Sequence, residues 1–183
     1  MPRLHALIAL RHAFAASLLG DQAAFQAAIM RARRELDRGP RDGNPPQWLR
    51  FVCETEITGV EARGWLNLGE AGHSAVLYRK ILDEGGLSAR DQARYGAGLA
   101  DALLRQGARQ QAVAAAMDVL PALEAGVTSI RCLDQLRLIR AAVGGAPWAQ
   151  EFCARFDTIA RTLAMTYPLP GRDARSTRSD IPA

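Results

Sequence analysis

Three stretches decide the fold: SLLGDQAAFQAAI at residues 17–29, LNLGEAGHSAVLYRKIL at 66–82 and LLRQGARQQAVAAAM at 103–117. Each begins with the leucine-rich end of an apolar-periodic segment, passes through a glycine, and resumes with alanines that start another such segment. A glycine past the last periodic residue ends a helix. The small residues after it let a second helix approach the first closely. Read this way, Gly20, Gly69 and Gly107 are the turns of three helical hairpins. Gly69 and Gly107 lie 38 residues apart, close to the period of helical-repeat proteins.

Working outward from these turns, helical periodicity runs through most of the chain, with no alternating strand pattern. Leu4, Leu7, Ile8, Phe14 and Leu18 mark a first helix. Phe25, Ile29, Ala32 and Leu36 mark a second, with Asp21 as its N-cap. Residues 39–46, GPRDGNPP, cannot be helical and form a loop. A long third helix is expected from Trp48 through Phe51, Val52 and Thr55 to Leu66, and a fourth over about 73–84. Ser88-Ala89-Arg90-Asp91 reads as a capping-box variant opening a fifth helix. A sixth covers about 108–124, shortened by Pro121, a seventh about 128–143, and Pro147-Trp148 opens an eighth. Residues 1–167 therefore read as one domain of about eight helices in four pairs. Periodicity is lost over 168–183, which is expected to be a disordered tail. The expected class is all-α: antiparallel helical hairpins stacked as a tetratricopeptide-like right-handed superhelix.

Composition agrees. Of 183 residues, 34 are alanine, which loses no side-chain entropy on entering a helix. Arginine outnumbers lysine 22 to 1, a ratio that points to a GC-rich genome. The net charge of +4 is unevenly spread: residues 1–40 hold six arginines against three acids, whereas 41–167 hold fourteen charges of each sign. A nucleic-acid-binding domain usually concentrates its cations on the folded core, so this balance weakens that reading. No stretch approaches the roughly 18 to 20 uncharged apolar residues of a membrane-spanning helix. Cys53, Cys132 and Cys153 lack any paired spacing and point to reduced thiols in a cytoplasmic protein. The apolar run near the N-terminus contains His5 and is broken by Arg11 and His12, unlike a secretory leader.

No catalytic constellation is legible. There is no HExxH, GxSxG or P-loop, and no strand precedes Gly96-Ala97-Gly98, which reads as a close helix crossing. His5 and His12 are seven residues apart, about 10 Å along a helix, too far to share one ion. Glu54 and Glu56 face different ways on a helix. Trp48, Trp65 and Trp148 read as packing between helices. The stripe Arg31, Arg34, Arg38 reads as a solvated face near a helix C-terminus. These residues imply no cofactor, no metal and no enzyme.

Several motifs together carry a resemblance: Leu19-Gly20-Asp21, Pro46-Gln47-Trp48-Leu49, Trp65-Leu66-Asn67-Leu68-Gly69, Leu99-Ala100-Asp101-Ala102-Leu103 with Gly107 and Ala112, and Ser129-Ile130-Arg131 with Leu133 and Leu136. Over about residues 4–163 the chain resembles the tetratricopeptide-like C-terminal region of actinobacterial regulators whose N-terminal part is an Xre-type helix-turn-helix domain. The resemblance implies a non-enzymatic scaffold in transcription regulation that binds a peptide, protein or small ligand and often forms a homodimer. The chain begins where that regulatory part begins, so DNA contact is expected only indirectly, through a missing or separate helix-turn-helix domain. In such stacks the first helix of each pair lines the groove. That rule makes Glu61, Asn67, Asp91, Arg94 and Tyr95 the candidate ligand-binding residues. Alternatives from other classes are a self-associating scaffold without a small ligand and, more remotely, a helical-bundle enzyme.

Overall fold

The computed structural model describes residues 1–38, 45–127 and 129–166. Most of the loop at 39–46 and the whole of the tail at 168–183 lie outside the described residues. Within them the protein is all-helical: α1 (Pro2–Leu18), α2 (Gln22–Asp37), α3 (Glu54–Asn67), α4 (Ala71–Glu84), α5 (Ala89–Arg105), α6 (Arg109–Glu124), α7 (Ile130–Val143) and α8 (Gln150–Thr166). Short 3-10 turns at Gln47–Leu49 and Pro147–Ala149 precede α3 and α8. Each helix packs against its neighbours in the chain, and α1 also packs on α3 and α5 on α7.

The three glycine turns have one construction. Gly20, Gly69 and Gly107 hold φ of 76°, 89° and 79°, a left-handed conformation that a Cβ penalises. Around each, the residue after the glycine donates to the carbonyl five residues before it: Asp21 to Ala16, Glu70 to Trp65 and Ala108 to Leu103, at 2.8–3.0 Å. The glycine itself donates inside that bond, to Ser17, Leu66 and Leu104 respectively. This Schellman arrangement satisfies helix-end carbonyls, and in every case its last residue is already the N-cap of the next helix. Each hairpin is thus closed by the same three-residue connector. A positive-φ glycine recurs at Gly145, again 38 residues on, but there the chain turns through Pro147 without the paired bonds.

Close crossings inside the stack are made by glycine and alanine. A Cβ on Gly64 would lie 2.2 Å from the Phe25 ring and one on Gly59 2.4 Å from the Tyr95 ring. Gly98 stands in the same relation to Tyr78, at 2.5 Å, and Gly96 to the Val119 side chain, at 2.8 Å. The crossing expected at Gly96-Ala97-Gly98 is present. Ala62, Ala97, Ala100, Ala102, Ala112 and Ala116 are fully buried. The core is a chain of clusters running along the stack, from Phe25, Ile29 and Ile57 through Tyr78, Ile81 and Leu103 to Leu120, Leu136 and Phe152.

Three expectations need correction. The third helix does not begin at Trp48. Leu49 and Val52, three apart, are buried against Ala6, Arg3 hydrogen-bonds the Arg50 carbonyl at 3.1 Å, and Cys53 is extended before α3 starts at Glu54. Trp48 and Phe51 are consequently exposed, as is Trp148, leaving Trp65 alone of the three tryptophans in helix packing. Pro121 does not shorten α6, because Ala125 donates to the Pro121 carbonyl at 2.9 Å and closes a final turn. Of the cysteines, Cys132 is buried and Cys53 and Cys153 are half-buried, all with free thiols.

Gly107→Ala should destabilise the fold by about 1 kcal/mol, since alanine must enter the left-handed region. Gly72→Ala, in α4 with nothing within 4 Å of the added Cβ, should stabilise it by roughly 0.5 kcal/mol. Thermal melts would move down and up by about 2–4 °C per kcal/mol; equal shifts in one direction would contradict this reading of the two glycines.

Candidate functional site

The polar side chains of α3 and α5 meet along one line. Arg94 of α5 donates from its two terminal nitrogens to the Glu56 carboxylate of α3, at 2.5 and 3.5 Å. One helical repeat of charge away, Arg63 of α3 donates to the Asp101 carboxylate of α5 at 3.2 Å, and Arg105 donates to the other Asp101 oxygen at 2.9 Å. Both cross-helix pairs join residues 38 positions apart, the same interval as the turn glycines. Equivalent positions of successive hairpins therefore hold opposite charges, and the sign alternates along the line: Glu56 to Arg94, then Arg63 to Asp101. Asp101 is buried, a placement that a carboxylate tolerates when its oxygens are hydrogen-bonded to cations.

Tyr95 is the hinge of this region. Its ring fills the space over Gly59, the Arg94 guanidinium stands 4.4 Å from the ring centre, and Arg94 also donates to the Tyr95 hydroxyl. That hydroxyl in turn faces Glu56 Oε2 at 3.4 Å and the Thr55 carbonyl at 3.5 Å. Burial pushes the Tyr95 phenol well above its ordinary range, only partly offset by the Arg94 charge. Tyr78, 6.4 Å away ring to ring, is pushed up to about 12, mainly by burial. Burial alone would lower the Arg94 guanidinium, but the hydrogen bond and charge of Glu56 outweigh it and keep it fully protonated.

Of the five residues singled out from the sequence, Asp91, Arg94 and Tyr95 come together. Asp91 accepts from the Ser88 hydroxyl at 2.7 Å and donates its backbone N–H to Ser88 Oγ at 3.1 Å, so Ser88 caps α5 as expected while the Asp91 carboxylate meets the hydroxyl in place of the backbone N–H of a full capping box. It also lies 3.7 Å from Arg94. Glu61 and Asn67 go elsewhere. Glu61 accepts from Arg33 of α2 at 2.7 Å, and that arginine also binds Glu54 at 2.8 Å. Asn67 donates to Ser17 of α1 at 3.0 Å. Glu54 and Glu56 do face opposite ways, toward Arg33 and Arg94.

Sequence reasoning weighed Glu56 only as half of a carboxylate pair with Glu54, and it did not single out Arg33, Arg63 or Asp101 as site residues. The signal available for Glu56, Arg63 and Asp101 was the 38-residue interval applied to charges. What the line does chemically is hold helices: each of its acids is already bound to an arginine. A depression over α4, lined by Val76, Arg79, Lys80, Asp83 and Glu84, is open to solvent and contains none of the five candidates. His5 lies 3.7 Å from Glu35 and the His73 ring stacks on Trp65 at 4.8 Å. Among the described residues no cluster of His, Cys, Asp and Glu is placed to hold a metal ion, and no helix is long and apolar enough to cross a membrane.

The raised phenols give a pH signature. A neutral phenol is favoured by the fold, so its contribution is complete below the unfolded value of about 10 and is lost as pH rises through the folded value. Stability should fall across pH 10–12. Absorbance at 295 nm during an alkaline titration should show Tyr78 and Tyr95 ionising together with loss of helical ellipticity, and Tyr78→Phe with Tyr95→Phe should remove that coupled step. Ionisation of every tyrosine near pH 10 with the helices intact would contradict the burial argument.

No protein-family model matches the chain, and neither a curated protein nor a solved structure does.

Proposed function

We propose that this chain is a non-enzymatic scaffold of stacked helical hairpins, built on the tetratricopeptide plan, whose work is to bind another polypeptide in a transcription-regulatory setting. The observation that carries the proposal is the repeat itself. Successive hairpins share one connector, and their first helices are joined at equivalent positions by Glu56–Arg94 and Arg63–Asp101. In repeat proteins each unit contacts mainly its neighbours, and the product of the stack is an extended surface. Glu54, Glu56, Glu61 and Arg63 of α3 and Arg94, Asp101 and Arg105 of α5 are engaged in holding the array, so the scaffold has surface and shape to offer a partner. The regulatory setting rests on the resemblance to helix-turn-helix regulators described above, and contact with DNA would be made by a separate domain.

Self-association is the second reading. The large apolar side chains Ile8, Phe14 and Leu18 are exposed on one helix, as they would be in a protomer separated from a second copy.

A two-hybrid screen in the source genome, with each hit purified and titrated calorimetrically against the full chain, tests the first reading. It predicts at least one partner that binds stoichiometrically, with a regulator carrying its own DNA-binding domain among the hits. A chain that binds none of the purified candidates would count against it, and a stable dimer by light scattering would favour the second.

A further inference from the structure

The two ends of the array differ. On α8, at one end of the described array, the exposed positions among the described side chains are Gln150, Glu151, Ala154, Thr158, Arg161 and Thr162, a mostly polar outer face of the kind that closes a repeat stack toward water. On α1, at the other end of the described array, the exposed positions are Ile8, Phe14, Ala15 and Leu18 at helical spacing, interrupted by His5, Arg11 and His12. Ile8, Phe14 and Leu18 are 43%, 38% and 63% exposed, and Leu19 follows at 85%. The inward side of the same helix is nearly all alanine: Ala6, Ala9, Ala13 and Ala16, with Leu10. α1 thus carries Ile8, Phe14 and Leu18 outward, while Leu10 is buried and Leu4 and Leu7 pack beside Leu49 and Val52. A helix apolar on both sides is ordinarily covered on both, and contiguous exposed apolar surface marks an interaction site.

Charge identifies what fits there. α1 contains no acidic residue, and Arg11, midway along the outward face, has no ion-pair partner among the described residues. Elsewhere this protein joins helices by setting an arginine against a carboxylate on the neighbour: Arg33 with Glu54 and Glu61, Arg94 with Glu56, Arg63 with Asp101, Arg140 with Asp157, Arg155 with Glu124. The outward face of α1 is one half of such a junction. A second copy paired antiparallel about Arg11 does not supply the other half. Antiparallel pairing that sets Leu18 against Leu4 and Phe14 against Ile8 brings the two Arg11 side chains together at the dyad, a like-charge juxtaposition that opposes association.

We infer that the outward face of α1 is the docking site for an amphipathic helix of a different polypeptide, one with a carboxylate at the centre of its apolar stripe. Its leucine-type side chains would lie over Ile8, Phe14 and Leu18 while the carboxylate meets Arg11, a helix-on-face mode of recognition. This rests on the scaffold reading above and names the surface and the partner chemistry within it.

The test uses the full chain and two fluorescein-labelled 18-residue helical peptides with a leucine stripe, identical except for glutamate or lysine at the stripe's centre, read by anisotropy. The glutamate peptide should bind roughly tenfold more tightly than the lysine peptide, a difference of about 1.4 kcal/mol. Arg11→Glu should reverse that order, Leu18→Glu should weaken both by at least about tenfold, and Val76→Glu, on the exposed side of α4, should change neither. All three positions are exposed, and unchanged far-ultraviolet ellipticity shows that each variant is folded. Three results would overturn the proposal: no binding of either peptide, equal binding that ignores Arg11→Glu, or a dimer at micromolar concentration that Leu18→Glu dissolves. A screened partner that binds wild type and Leu18→Glu equally would overturn this face while leaving the scaffold reading in place.

Discussion

The stack depends on rings seated on glycines. Phe25 of α2 lies on Gly64 of α3, Tyr95 of α5 on Gly59 of α3, and Tyr78 of α4 on Gly98 of α5. In each case the space occupied by the ring is the space a Cβ would need, so the helices meet at a distance only a bare Cα permits. A buried ring at such a crossing contributes on the order of 2–3 kcal/mol of apolar burial, and the glycine's poorer helix propensity, about 1 kcal/mol, is offset by it. The constraint acts once between the first and second hairpins and twice between the second and third, and the polar features sit on top of it. Arg94 stacks on a ring that Gly59 holds in place, and from there it reaches Glu56.

The ionic line between α3 and α5 follows from that placement. Asp101 would be costly to bury alone, but Arg63 and Arg105 each bond one of its oxygens while keeping part of their own surface in water. Such pairs set register more than they add stability. A 38-residue interval between partners means that α5 is aligned to α3 hairpin for hairpin, and a slip along the helix would oppose like charges. Several of the arginines and acids in the neutral stretch 41–167 are such partners, among them Glu56 with Arg94 and Arg63 with Asp101. α1 departs from the pattern. It has the glycine turn and the alanine crossing but no acidic residue, and Ile8, Phe14 and Leu18 face outward.

Much of the fold was legible because its determinants are local. A helical period, a glycine where φ must be positive, and alanines beyond it are all readable within a dozen residues, and they placed eight helices and three connectors. The 3-10 turn before α3 was not legible. Trp48, Leu49, Phe51 and Val52 fit a helical stripe equally well, and only the burial of Leu49 and Val52 against Ala6 decides the matter. The candidate site was legible in part. Asp91, Arg94 and Tyr95 share a short segment and stay together, whereas Glu61 and Asn67 were assigned by a rule about which helices line a groove. Their side chains instead reach back to Arg33 and Ser17, contacts that depend on how α1 and α2 lie against α3.

The claim that rings on bare Cα atoms set the helix spacing is tested most directly by a double-mutant cycle at Phe25 and Gly64, followed by denaturant unfolding. Gly64→Ala in the wild-type chain should cost about 1–3 kcal/mol, because its Cβ meets a fully buried ring that has no room to move. In a Phe25→Leu background the same substitution should be neutral or stabilising by up to about 1 kcal/mol, alanine being the better helix former. An equal cost in both backgrounds, or no cost in either, would contradict the account.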